Sequence, residues 1–366
     1  MENNIHNKFT KMQFTLILIG SMMGVGILSL PNDVIKIAKQ DGWISVLLGS
    51  IYPIYIIFIA NYLSKNYPQE NFLVLSKKFL GNTIGNILNL IFILYFILIS
   101  SKVATDITNV LHIYMVDFLN KWTILIVMYI VIGYAIYGGI KTIGILNEVI
   151  FFSTIIIFFI PLAAIKNADI SNILPVFNGG VLNIIKGVKE TTFSYSQIEI
   201  ILLIYPLLND ITKVKKCGLV SIIFITTVYT LFTITNILYL GINTSLRFIW
   251  PIVTITESIQ MPVINSFRYI FMSLWSLTMF KTICNGYFIA VHELSRLTKK
   301  ANEKIIILVT IPLMVLISIF YGDMVNSAKI FSKIMPICII YNIIFTSVIT
   351  LCAWRKKQNK NSFQNS

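Results

Sequence analysis

The sequence predicts an all-α polytopic membrane protein of about ten transmembrane helices, arranged as a five-plus-five inverted repeat in which helices 1 and 6 are broken. Three observations lead there. Apolar runs of roughly 20 residues, the length of a helix that crosses hydrocarbon, recur from Met12 to Trp354 with no soluble-sized insert. Of the 366 residues, 56% are hydrophobic and only 12% charged, against about 25% charged in soluble domains. Two of the runs are interrupted in mid-span at corresponding places in the two halves. Paired interruptions of that kind point to an inverted repeat around a central site.

Taken in order, residues 1–11 form a cytoplasmic N-terminus, 12–354 a single transmembrane domain and 355–366 a basic cytoplasmic tail. The spans fall at 12–37, 43–62, 84–112, 122–140, 146–165, 182–208, 217–241, 264–292, 305–321 and 331–354. An amphipathic piece at 71–79 is expected on the membrane surface. A loop with Leu174, Pro175, Gly179 and Gly180 precedes span six, and one with Arg247, Trp250 and Pro251 follows span seven. The polar tail from Arg355 is expected to be disordered. The first run is too long, and too closely followed by other spans, for a cleaved signal peptide.

A net charge of +14 could suggest nucleic acid, but the basic residues lie mostly in short loops and at the ends. Membrane topology explains them better. With the N-terminus inside, 17 of the 29 Lys and Arg fall in cytoplasmic segments and 10 outside, leaving Lys102 and Lys281 within spans. Both termini are therefore assigned to the cytoplasm. Cys217, Cys284, Cys338 and Cys352 form no CxxC pair and are expected as free thiols. His6, His112 and His292 are scattered, which argues against a metal site.

The first break is the stretch from Gly20 to Pro31. Glycines at 20, 24 and 26 each weaken a helix by about 1 kcal/mol, and Pro31 removes a backbone donor. The predicted form is one half-helix to about Met22, a short unwound piece, and a second half from about Gly26. Gly20 and Gly24 also fit the spacing of close helix packing. The second break is Glu190 to Glu199, where Thr191, Thr192, Ser194 and Ser196 interrupt the apolar pattern. Hydroxyl side chains can satisfy an unwound turn; they could equally face neighbouring helices. Unwound backbone around Met22, Met23, Gly24, Val25 and Gly26 would hold a ligand's charged group. Phe193, Ser194, Tyr195 and Ser196 would complete the pocket, with Tyr95, Thr278 and Thr282 as further candidates.

Glu199 and Lys281 are the intramembrane charges of greatest interest, since such groups usually face a cavity or a partner. Lys281 lies about 18 Å along its helix from Glu293, with Thr278 and Asn285 on the same face. It could pair with Glu199. Lys102 and Asp106, four apart toward the outer end of span three, read as a snorkelling local pair. Glu148 reads as interfacial.

Gly24-Val25-Gly26-Ile27-Leu28-Ser29-Leu30-Pro31 resembles the broken first helix of the amino acid–polyamine–organocation (APC) superfamily, the leucine-transporter type of fold. Leu174-Pro175-Val176-Phe177, Gly179-Gly180, Ile185-Lys186-Gly187, Phe193, Ile198-Glu199-Ile200 and Tyr205-Pro206-Leu207 resemble the B subunit of spore germinant receptors. The likeness covers nearly the whole chain. It departs where many members have a glycine before the glutamate, since Gln197 and Ile198 stand here. The resemblance implies a transporter-like sensor of small germinants, commonly amino acids, and, by likeness to sodium-independent relatives of the fold, that the Lys281 ammonium could stand in for a cation at the carbonyls freed in span one. It further implies an A subunit and a C lipoprotein as partners, in the inner membrane of the spore. No cofactor, metal or nucleic acid is expected. A permease working by alternating access is the first rival and a purely structural scaffold another. A membrane enzyme lacks its pieces: there is no HExxH and no nucleophile–base spacing.

Overall fold

Helix formation begins at Thr10. Its side-chain oxygen accepts from Gln13 N at 3.1 Å, and Gln13 Oε1 accepts from Thr10 N at 3.2 Å. This capping box satisfies two donors that the helix start leaves open. The computed structural model describes residues 8–24, 26–258, 267–298 and 302–364. From the cap, α1 runs Lys11–Met22 and stops; α2 resumes as Gly26–Ala38. Pro31 lies inside α2 without ending it. Span two is α3 (Gly42–Gly49) followed by α4 (Ile51–Asn66).

The sequence places 71–79 on the membrane surface. The structure instead packs α5 (Phe72–Leu80) onto protein. Phe72, Leu73 and Leu75 are buried, and α5 lies against α6 (Asn82–Tyr114) and the last helix. Asn89 Nδ2 pins it by donating to Leu73 O at 2.9 Å. Span four is α7 (Lys121–Tyr137). Span five is α8 (Gly139–Thr154), which tightens into 3-10 turns around α9 (Ile160–Ala163) and ends at Asn167.

The second half repeats the plan. Span six is α10 (Val181–Val188), a stretch of tight turns, and α11 (Ile201–Ile204). Span seven is α12 (Val214–Ser245), kinked at Gly241, whose φ of 68° suits a residue without a side chain. A short helix not expected from the sequence, α13 (Pro251–Glu257), starts on Pro251, whose fixed φ favours the first helical position. It precedes the long α14 (Phe267–Thr298) as α5 precedes the long α6. Residues 264–266 of the predicted eighth span lie outside the described residues. The last spans are α15 (Glu303–Phe320) and α16 (Met324–Gln364). The tail from Arg355 is thus helical through Gln364, not disordered. Arg, Lys and Gln are good helix formers and no glycine or proline intervenes.

Among the described residues, six helical stretches are long and apolar enough to cross a bilayer. The others are short, broken or more polar. α14 can carry Thr278, Lys281, Thr282 and Asn285 because all four are buried against protein rather than lipid. It packs on α6, α8 and α1, and α1 also meets α12.

Span six is clasped at both ends. At the end nearest the chain termini, Phe9 N donates to Leu207 O at 2.7 Å and Asn209 N to Phe9 O at 3.0 Å. Lys11 pairs with Asp210 at 3.2 Å, and Tyr205 donates to Glu70 O. At the opposite end, Asp41 accepts from Phe177 N at 2.8 Å and Gly179 N at 3.2 Å. Gln40 donates there to Pro175 O at 2.9 Å, and Ser45 to Ile184 O at 2.8 Å.

Candidate ligand-binding site

The two breaks meet. α1 ends as Met23 N donates to Ile19 O at 3.0 Å and Gly24 N to Met22 O at 2.8 Å. The carbonyls set free there cannot turn to lipid, so neighbouring side chains take them. Thr282 Oγ1 stands 2.7 Å from Gly20 O and 3.1 Å from Met23 O. Tyr229 OH stands 2.6 Å from Met22 O and 3.1 Å from Ser194 O, so one hydroxyl bridges both broken spans. In span six Gln197 takes the left-handed conformation at φ 68°. Its N–H donates to Tyr95 OH at 3.2 Å, and Ser196 Oγ donates to Phe193 O at 2.6 Å.

The three glycines of the first break differ in role. A β-carbon on Gly26 would lie 2.3 Å from Ser194 Oγ, and one on Gly20 would lie 2.4 Å from Asn147 Oδ1. Both positions need glycine for close approach. Gly24 has only Val103 and Thr282 methyls nearby, at 3.8 and 3.9 Å. The expected packing spacing therefore holds for Gly20 and not for Gly24. Beside Gly20, Asn147 and Asn285 exchange amide hydrogen bonds at 2.6 and 2.9 Å.

A cavity of about 540 Å³ opens from the second break toward the end of the bundle opposite the termini. Its floor holds Phe193, Lys102, Asp106 and Phe331; its walls come from α2, the 246–250 loop and α16. Lys102 pairs with Asp106, both nearly buried at 7% and 6% side-chain exposure. The Lys102 ammonium also stands over the rings of Phe193 and Phe331, at 5.2 and 5.5 Å from their centres. The pair predicted at these positions is present, but it floors a cavity instead of snorkelling to the surface. Asn32 ties one wall to another: it donates to Phe248 O and accepts from Ser245 Oγ at 2.9 Å, which accepts in turn from Asn236 at 2.7 Å.

The predicted residues thus divide. Phe193 lines the cavity. Met22, Gly26 and Ser194 form the contact between the breaks. Thr282 serves the first break at Met23 O, near Gly24, with Thr278 O also within its reach. Ser196 and Tyr95 serve the second, at Phe193 O and Gln197 N. Val25 lies outside the described residues. Tyr195 points away, donating to Val46 O at 3.0 Å and meeting the Tyr229 ring edge-on. It packs span six against spans two and seven and does not face the cavity.

Lys281 makes neither predicted contact. It is fully buried, its Nζ has no hydrogen-bond partner among the described residues, and Phe151 lies beneath it at 5.5 Å. The freed carbonyls go to Thr282 and Tyr229, whose short hydroxyls reach them directly. Glu199 is held elsewhere, by Tyr52 and by Asn342 at 2.7 Å. Glu148 accepts from Gln13 at 3.3 Å. The sequence reading passed over Tyr229, Phe331 and the role of Lys102. Tyr229 had a signal: a hydroxyl at the midpoint of an apolar run. The four cysteines are free thiols, and no cluster of three His, Cys, Asp or Glu occurs among the described residues.

Comparison with known proteins agrees with this geometry. The chain is 27% identical over 298 residues to spore germination protein YndE of Bacillus subtilis, covering 80% of this chain and 82% of that one. It is 30% identical over 263 residues to spore germination protein GerQB of Bacillus cereus, covering 71% and 72%. Its fold matches that of MhsT, solved in complex with L-phenylalanine, with a TM-score of 0.68 at 12% identity over 92% of this chain and 87% of that one. The sequence model of the family described as spore germination protein matches residues 8–327, which hold both breaks and Lys102, Asp106 and Phe193 of the cavity floor, so the chain belongs to the spore germination protein family, built on an APC-type transporter fold.

Proposed function

We propose that this protein is the germinant-sensing membrane subunit of a spore germination receptor and that its germinant is an amino acid. The observation that carries this reading is the cavity of about 540 Å³ that ends on Phe193 at the break of span six. That volume is in the range of small-molecule sites. Its lining offers charges of both signs, including Asp33, Lys102, Asp106 and Arg247, beside aromatic rings. A zwitterion with an apolar side chain suits such a lining. The excess of basic residues in segments on the side of the termini supports a cytoplasmic position for both. The cavity then opens away from the cytoplasm. A receptor A subunit and a C lipoprotein are the expected partners, in the spore inner membrane. The role is binding and signalling, not catalysis.

The test is germination of a deletion strain, and of the complemented strain, against the twenty L-amino acids. Loss of response to one or a few of them in the deletion strain supports the reading. A response identical to the parent's for all twenty rejects it. The transporter fold favours a second reading, a permease working by alternating access. Uptake of the same amino acid into proteoliposomes would support it; binding without uptake would leave the receptor reading alone.

A further inference from the structure

The floor of the cavity is built like a receptor for an ammonium group, and the chain's own lysine fills it. Lys102 Nζ stands 5.2 Å from the centre of the Phe193 ring and 5.5 Å from that of Phe331. The two rings are tilted 65° to each other, so they form two walls of a corner. Asp106 supplies the counter-charge, and Ser327 Oγ donates to its Oδ1 at 3.4 Å. Two aromatic faces and a carboxylate are the recognition set for an organic cation. All four principal groups, Phe193, Phe331, Lys102 and Asp106, line the open cavity. A tethered ammonium in such a corner can leave it without leaving the protein.

We propose that Phe193, Phe331 and Asp106 form the ammonium subsite for the germinant, and that Lys102 is a built-in occupant that the germinant displaces. The inference rests on the amino acid reading above. An arriving α-ammonium takes the place of Lys102 against Asp106 and the two rings. The displaced Lys102 then pairs with the ligand's α-carboxylate. Two ion pairs replace one, and no buried charge is left alone, which is the requirement in a low-dielectric site. A simple amine lacks the carboxylate and would strand Lys102. A simple carboxylate cannot displace it. The exchange therefore selects zwitterions over either half alone. It also repositions Phe193, which belongs to the break of span six, so occupancy is read by the backbone that the family's fold leaves unwound.

The experiment uses the full-length protein purified in detergent, with binding followed by thermal shift. The probes are the twenty L-amino acids and, for each one that binds, the matching amine without the carboxylate, such as ethylamine for L-alanine, isobutylamine for L-valine and phenethylamine for L-phenylalanine. Wild type is expected to bind at least one amino acid and to bind its amine at least ten-fold more weakly. Lys102→Met empties the corner and removes the carboxylate's partner. That variant should reverse the order, so that the amine binds at least as well as the amino acid and raises its melting temperature. Phe331→Leu, which keeps the ion pair, should weaken amino acid binding about ten-fold. If wild type binds an amino acid and Lys102→Met keeps the wild-type preference, the subsite is rejected while the germinant reading stands. Unchanged binding in Phe331→Leu rejects it too. If wild type binds none of the twenty L-amino acids, both fall.

Discussion

Gly26 and Ser194 touch across the two broken spans: a β-carbon on Gly26 would stand 2.3 Å from the serine hydroxyl oxygen and 3.1 Å from its α-carbon. Backbone cannot yield as a flexible side-chain end can. Gly26→Ala should therefore cost about 1–3 kcal/mol, the usual penalty of overpacking, and lower the amount of folded protein. Gly24→Ala meets only ordinary contacts and should stay within about 0.5 kcal/mol of wild type. Thermal melting of the two variants in one detergent checks this. Equal midpoints would mean that the breaks are not in contact.

Tyr229 serves two carbonyls, Met22 O and Ser194 O, with a single hydroxyl. Tyr229→Phe keeps the ring against Tyr195 but leaves those acceptors without their donor. The expected loss is about 1–3 kcal/mol. Faster amide exchange around both breaks should accompany it. Unaltered exchange would show that other groups satisfy them.

Among the described residues Lys281 has no hydrogen-bond partner, and Glu199 is engaged by Tyr52 and Asn342. The two charges should therefore behave independently. Lys281→Met is expected to be neutral or stabilising, because an apolar chain replaces a buried polar group without orphaning another. Glu199→Gln retains an acceptor for Tyr52 and Asn342 and should cost little. Glu199→Leu removes that acceptor and should cost about 1–3 kcal/mol per stranded donor. A double-mutant cycle of Lys281→Met with Glu199→Gln should give a coupling energy near zero. A coupling above about 1 kcal/mol would restore the ion pair.

Asn32 joins α2 to the 246–250 loop through Phe248 O and to the end of α12 through Ser245 Oγ. Asn32→Ala should free the loop on that side of the cavity and raise its susceptibility to limited proteolysis several-fold. A digestion rate equal to wild type would show that the packing of Trp250, only 3% exposed, is sufficient to hold it.

Much of the architecture could be read directly. Both breaks stand out because glycine and hydroxyl residues disturb a continuous apolar run, and that disturbance is local. The charged residues were harder, because the partner of a long side chain is decided by helices far away in sequence. Lys281 and Glu199 invite each other on paper, yet Tyr52 and Asn342 come from spans two and ten to take the carboxylate. Tyr195 and Phe193 lie two residues apart in the same break and face opposite ways, a difference fixed by the tight turns between them. Polarity alone predicts disorder past Arg355, yet the Arg, Lys and Gln there favour the helix that forms.

The fastening of span six at both ends concentrates its freedom. One end is stitched to the N-terminal segment through Phe9, and the other to the connection between spans one and two through Asp41. Between these anchors lies the turn stretch that holds Phe193, Ser194 and Gln197. A beam fixed at both supports bends where its section is weakest, and here that section borders the cavity. Pressure on the Phe193 ring thus acts at the point of greatest compliance. Motion leaves it along two rigid arms, α10 toward Asp41 and α11 toward the chain termini.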